Sequence, residues 1–229
     1  MKSTLAVFLL FLLTLTTSAY AVEKLPVSLI PLTSKPGLVL FKKDWNENTI
    51  KLLTHFVTQK TNAYCGIASA VMILNAMNIT PPIDSEHVPY RYFNQNNFFN
   101  EQIKKIITLQ EIQKNGISLS ELNTIMQNSG VKSMPYFAND INLNEFRKIL
   151  THAIARNQFI IVNFSRTKLN QQGNGHYSPL TAYDKEQDRF LMLDVSRYKY
   201  PAYWVKTSDL WNAVNTKDND RYRGFIIIK

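Results

Sequence analysis

Cysteine is almost missing from this sequence: Cys65 is the one thiol among 229 residues. No internal disulfide can form, which excludes a stapled extracellular scaffold, and no thiolate-held zinc site can be built from a single ligand. Histidine is nearly as scarce. His55, His87, His152 and His176 stand at no metal-ligand spacing, so no metal-binding set is expected. No fixed-period repeat and no long low-complexity tract occurs. The formal net charge is +9, yet the basic residues form no run or stripe that could track a phosphate backbone. Nucleic acid is therefore not an expected partner, although the surplus would help to draw in a small anion.

Long apolar runs are also lacking. The longest, Leu5 to Leu15, falls short of the ~20 residues that a spanning helix needs. It follows a basic Lys2 and precedes Ala19-Tyr20-Ala21, small residues at the two positions a signal peptidase reads. Residues 1–21 are expected to be a cleaved secretory signal, with no stable membrane anchor and an exported location, periplasmic or secreted. Residues 22–229 read as one catalytic domain. With 45% hydrophobic and 12% aromatic residues the 229-residue chain can bury a core, which argues against disorder.

What is present changes character half-way along. Residues 22–43, carrying Pro26, Pro31 and Pro36, read as an extended lead-in, and Asp44 as the N-cap of a helix reaching Phe56. From Cys65 to Met77 runs a segment apolar nearly all round, the pattern of a helix buried in the centre of a domain. Residues 84–100 read as loop. Ser118 with Glu121 and Asn142 with Glu145 form capping boxes that open two helices, ending near Gly130 and Arg156. Short strand-like runs follow at 159–164, 177–183, 189–195 and 225–228, with a turn at 184–188 and a short helix at 209–214. Helices first and antiparallel strands second give an α+β class, a helical lobe packed on an antiparallel sheet.

Cys65 lies where a polar segment enters the buried helix. Unsatisfied N–H groups and the positive end of the helix dipole stabilise a thiolate there. Gly66 lets a substrate carbonyl approach the backbone. Among the histidines, His176 alone opens a strand, after Gly173-Asn174-Gly175. A hairpin centred near Glu186 puts His176 opposite residue 196 and Asp194 opposite residue 178, so the two are near-diagonal neighbours. Asp194 sits in an apolar strand, where a carboxylate needs a partner. Nucleophile, base and orienter are thus Cys65, His176 and Asp194, with Gln59 and the Cys65 N–H as oxyanion donors.

These residues carry a resemblance. Gln59, Tyr64-Cys65-Gly66-Ile67-Ala68-Ser69, Gly175-His176-Tyr177-Ser178-Pro179-Leu180 and Asp194-Val195-Ser196-Arg197-Tyr198-Lys199-Tyr200-Pro201 stand in order along the chain. Together with Trp204-Val205, Asp209-Leu210-Trp211, Asn215 to Asp218 and Arg223-Gly224-Phe225, they resemble the catalytic domain of phytochelatin synthases, in a short bacterial form. The resemblance implies a papain-like fold and transfer of γ-Glu-Cys from glutathione through Cys65, discharged to water or to a second glutathione. It also implies Arg166, Asp218 and Arg223 at the γ-glutamyl end of the bound substrate. Arginine forks and an acidic side chain suit a ligand with two carboxylates and an ammonium. No cofactor is implied for acylation; cadmium or zinc would enter as a metal–thiolate complex of the substrate.

The sequence departs from the plant and fungal members, which add a cysteine-rich C-terminal region and carry extra cysteines in the catalytic half. The stretch between Asp218 and Arg223 is shorter as well. Hydrolysis to γ-Glu-Cys and glycine is accordingly expected to dominate. A bacteriocin-leader type of cysteine peptidase shares the Gln…Cys-Gly and Gly-His patterns and is the nearest rival. A non-enzymatic exported binder of metal–thiolate complexes or anionic polymers is the rival from another class.

Overall fold

The computed structural model describes residues 23–77 and 79–229; the expected signal, residues 1–21, lies outside them. The chain opens with a two-residue strand β1 (Ile30–Pro31) and three helices, α1 (Lys35–Asp44), α2 (Glu47–Thr54) and α3 (Cys65–Ala76). Three more follow, α4 (Glu101–Lys104), α5 (Leu109–Asn115) and α6 (Leu119–Asn128), then strand β2 (Ser133–Phe137) and helix α7 (Leu143–Ala155). The second half holds β3 (Phe159–Ser165), β4 (Gly175–Asp184), β5 (Arg189–Met192), β6 (Tyr203–Lys206), α8 (Thr207–Val214), β7 (Lys217–Asp218), β8 (Arg221–Tyr222) and β9 (Gly224–Ile228).

Seven strands form one antiparallel sheet in the order β1-β6-β5-β4-β3-β9-β2, while β7 and β8 form a separate hairpin. Both faces of the sheet are covered, and its strands sort their side chains by alternation. Phe159 and Ile161 of β3 join the cluster built around α3, whereas Ile160, Val162 and Phe164 join the one built with α7 and α8. β5, β6 and β9 alternate in the same way. That two-sided burial is why these strands read as continuous apolar runs. The α+β class holds, and the expected helices of the capping boxes form: Ser118 accepts from the Glu121 N–H and Asn142 from the Glu145 N–H.

Residues 35–46 differ from the expectation. The lead-in is not extended throughout, because α1 occupies most of its second half. Pro36 falls in the helix's first turn, where its missing N–H costs nothing, and the Ser34 hydroxyl accepts from the Gly37 N–H at 3.2 Å. Asp44 ends α1 instead of capping α2. Asn46 does that, in a reciprocal box with Thr49.

Every residue of α3 is buried, so the helix runs through the middle of the helical lobe with its N-terminus at the sheet. The β4–β5 register is Leu180 with Met192, displaced by a bulge before Tyr183 pairs with Phe190. Continued past Met192, that register sets Asp194 across from Ser178, as the hairpin count anticipated. The link is made by Leu193 N–H to Pro179 and Val195 N–H to the Ser178 hydroxyl.

Candidate active site

Cys65 is the first residue of α3, and its N-cap, Tyr64, makes no side-chain cap bond. The helix's first N–H groups are thereby left for an anion. Burial pushes the Cys65 thiol up. The His176 charge and hydrogen bond, with the backbone N–H groups of Tyr177 and Gly66, outweigh it and bring the thiol below its ordinary value. Gly66 has a packing reason in addition to any substrate approach: a Cβ there would meet Ile117 at 2.9 Å.

His176 sits on β4 opposite Phe164 of β3, whose ring it meets edge-on at 5.5 Å. Its Nε2 lies 2.9 Å from Asp194 Oδ1, which leaves Nδ1 as the nitrogen for the thiol. Burial lowers the imidazole's affinity for a proton and Arg166 opposes it further, yet the Asp194 charge and the thiolate together raise it above the usual histidine value. A depressed thiol beside a raised imidazole is the condition for a thiolate–imidazolium pair.

Asp194 is fully buried. Besides His176, its oxygens accept from Arg166 Nη1 at 2.9 Å, Arg166 Nη2 at 2.8 Å and the Ser196 N–H at 2.9 Å. Burial would raise its pKa, but the His176 and Arg166 charges hold it well below the usual carboxylate range. Arg166 thus departs from the substrate-end position that the resemblance implied. Its guanidinium is buried, forks onto Asp194, donates to Gln171 at 2.7 Å and lies over the Tyr200 ring at 5.2 Å. A carboxylate inside an apolar sheet needs more than the His176 ring to offset its desolvation, and the arginine supplies the rest.

Gln59 is buried beside the triad. Its Nε2 donates to Thr61 O at 2.8 Å and to the Tyr198 hydroxyl at 3.0 Å, and its Oε1 accepts from Ser196 at 2.8 Å. Both amide hydrogens are therefore engaged, and an oxyanion would have to replace the Tyr198 hydroxyl. Asp218 and Arg223 come together: Arg223 Nη1 donates to Asp218 Oδ2 and to Asn163 Oδ1, each at 3.2 Å. Asp218 is exposed and Arg223 buried, its Nε without a partner among the described residues. A Cβ on Gly175 would meet the Arg223 guanidinium, so glycine before His176 lets that side chain lie against the backbone.

Some contributors escaped the sequence reading. Asn163 couples the His176 carbonyl to Arg223, and Tyr177 ties the sheet to the α5–α6 loop through Ile117 O at 3.0 Å. A lone amide in the apolar run Phe159–Phe164 was the available signal for Asn163. Nothing local marked Tyr177. Among the described residues, no group of three or more His, Cys, Asp or Glu side chains could hold a metal ion.

Cys65 opens on a pocket of about 520 Å³, walled on one side by Thr61 to Ala63 and on the other by Gly175 and Tyr177. A second pocket of about 610 Å³ adjoins it. The two share Asn115, Gly116, Ile117, Asn163, Tyr177 and Asp218.

A nucleophile on a central helix facing a histidine on an antiparallel sheet is the papain-like arrangement. The sequence model of phytochelatin synthase matches residues 20–225. The chain belongs to the phytochelatin synthase family. Relatives include glutathione gamma-glutamylcysteinyltransferase 2 of Arabidopsis thaliana, 32% identical over 87% of this chain and 44% of the relative. The third such enzyme of Lotus japonicus is 31% identical over 87% and 42% respectively. That of Schizosaccharomyces pombe is 28% identical over 80% and 44%. The chain thus spans less than half the length of these relatives. A C39-like peptidase from Bacillus anthracis superposes with a TM-score of 0.45 at 13% identity, over 76% of this chain and 93% of that one, a likeness too slight to bear on function.

Proposed function

We propose that the inner pocket binds glutathione and that Cys65 takes its γ-Glu-Cys acyl group with release of glycine. The observation that carries this reading is Asp218, which lines the pocket that opens on Cys65 and is paired with the buried Arg223 behind it. An acidic and a basic group side by side suit the α-ammonium and α-carboxylate of a γ-linked glutamate.

In this reading the Cys65 thiolate attacks the carbonyl carbon of the Cys–Gly amide and forms a C–S bond. The Cys65 N–H and Gln59 Nε2 donate to the oxyanion, Gln59 releasing the Tyr198 hydroxyl as it does so. His176 gives its proton to the departing glycine nitrogen as the C–N bond breaks, leaving a thioester. His176 then takes a proton from water, or from the α-amine of a second glutathione, as that nucleophile displaces the thiolate. The products are γ-Glu-Cys or (γ-Glu-Cys)₂-Gly. Arg166 and Asp194 keep the imidazole oriented throughout and touch no substrate atom.

Water is proposed as the main acceptor, because the residues assigned above grip one glutathione and deacylation by a second requires it to be held against the thioester. Cadmium or zinc enters, in this proposal, as a thiolate complex of the substrate. Export to the periplasm or beyond is proposed from residues 1–21, and a role in metal detoxification would follow from the products' thiols.

The test is to incubate the enzyme with glutathione, with and without Cd²⁺, and to identify products by mass spectrometry. Glycine should match γ-Glu-Cys nearly one for one, and a γ-Glu-Cys adduct should be trapped on Cys65. Cys65→Ser should lose both glycine release and the adduct, since a hydroxyl lacks the thiolate's nucleophilicity. An adduct on another residue would overturn the mechanism, and (γ-Glu-Cys)₂-Gly as the main early product would overturn the preference for water.

A further inference from the structure

Gln59 is an oxyanion donor in the reading above, yet its amide hydrogens are both engaged and it does not face the substrate. Asn62 lines the pocket that opens on Cys65, and Gln59 does not. A primary amide carries two N–H bonds. One goes to Thr61 O at 2.8 Å, a main-chain oxygen fixed in place because it also accepts from the Tyr64 N–H at 3.1 Å. The other ends on the Tyr198 hydroxyl at 3.0 Å. That hydroxyl in turn donates to Asn62 Oδ1 at 2.9 Å. The three side chains form one directed chain, from the buried amide of Gln59 through Tyr198 to Asn62 on the pocket wall.

The members of this chain differ in how freely they can move. Gln59 is buried, and its Oε1 is held by the Ser196 hydroxyl at 2.8 Å. Tyr198 and Asn62 are exposed, so the phenol and the short amide can shift without opening the core. The bond from Gln59 to the phenol joins two neutral groups, whereas an oxyanion makes a charge-assisted bond about twice as strong. The developing charge therefore takes the hydrogen from the phenol once the phenol gives way. What lies against Asn62 decides when that happens.

We infer that Tyr198 is a positioning residue that latches the oxyanion hole: its hydroxyl holds the Gln59 hydrogen meant for the reacting carbonyl until a substrate touching Asn62 releases it. The inference rests on the acyl-enzyme reading above and deepens it. With the pocket empty, Gln59 and Tyr198 are both satisfied. With the Cys–Gly carbonyl over Cys65, Asn62 turns to the peptide, the phenol turns to solvent, and Gln59 Nε2 donates to the oxyanion. Removing the hydroxyl alone leaves that hydrogen unpaired in a buried site and ready for the oxyanion, while Thr61 and Ser196 still fix the amide.

The experiment compares Tyr198→Phe with the wild type in two reactions of the same thiol. Acylation by glutathione, read as single-turnover release of glycine with enzyme in excess, builds an oxyanion; alkylation by iodoacetamide builds none. Tyr198→Phe should speed the limiting rate of acylation about two- to tenfold, the range of one neutral hydrogen bond, and leave the alkylation rate and its pH profile unchanged. Asn62→Asp, which gives the phenol a charged acceptor, should slow acylation, and should slow it less when combined with Tyr198→Phe. Slower acylation in Tyr198→Phe would make the phenol a helper of the oxyanion and overturn the latch. So would an unchanged rate, or equal changes in acylation and alkylation, which would place the effect on the Cys65–His176 pair. Equal slowing by Asn62→Asp with and without the hydroxyl would remove Asn62 as the trigger. If the wild type releases no glycine from glutathione, the acyl-enzyme reading falls first and this inference with it.

Discussion

Arg166 and His176 pull Asp194 from two sides, and their separate effects on the imidazole can be read in a pH profile. Activity needs the thiolate and the imidazolium together. It should rise with pH through the Cys65 value, which lies below the ordinary 9.0, and fall through the His176 value, which lies above 6.5. The arginine's charge opposes protonation of the imidazole. In Arg166→Met the alkaline limb should therefore move to higher pH, while kcat drops about 10- to 100-fold as Asp194 loses its fork and the ring its orientation. Arg166→Lys, which keeps the charge and loses the fork, should leave the limb in place and still lower kcat. A purely substrate-binding arginine would raise KM and leave both limbs where they are. Counting residues through the hairpin was enough to join His176 to Asp194, since a two-residue period and a turn determine who faces whom. The arginine's true partner was not legible, because it comes from the end of another strand, 28 positions earlier. Gln59 is a similar case: its carbonyl is held by Ser196 from 137 residues away.

At the level of elements, α1, α4 and α5 are helices that sequence patterning missed, and for α1 the reason is chemical. Proline in a first turn looks the same on paper as proline in an extended segment, and only the Ser34 cap distinguishes them. The capping boxes at Ser118 and Asn142 were legible because both halves of each device lie within four residues. β2 and β6 were not: Pro135 interrupts an edge strand, and Tyr203–Lys206 is too short to show a period. The C-terminal end of α1 also carries a pH-dependent contact. Burial, then the hydrogen bond and charge of Asp184, push the Asp44 carboxyl up to about 6. Asp44 in the native state thus binds its proton more tightly than in the unfolded chain. The stabilisation is fully present below the unfolded carboxylate value and is lost as pH rises through about 6. Thermal melts from pH 5 to pH 7 should show Tm falling by a few degrees, on the order expected for a small change in stability. Asp44→Asn, which donates to Asp184 at any pH, should flatten that slope. An unchanged slope in the variant would mean that another group carries it.

For the whole molecule, the solitary cysteine turns stoichiometry into a measurement. Every thiol-directed reagent has a single address in the chain, at the mouth of α3, so covalent labelling counts working sites without a substrate. Iodoacetamide should add one equivalent per chain, and lost activity should follow incorporated label along a straight line of unit slope. The labelling rate should stay high well below the pH at which an ordinary thiol ionises, and should drop toward that of a free thiol in His176→Ala. Loss of activity before label is incorporated would remove Cys65 from the chemistry. The same property makes the protein its own redox gauge. With no second thiol to close a ring, oxidation by glutathione disulfide can end only in a mixed disulfide of one added glutathione, and the intact mass of the isolated protein would record the oxidising power of the compartment it came from.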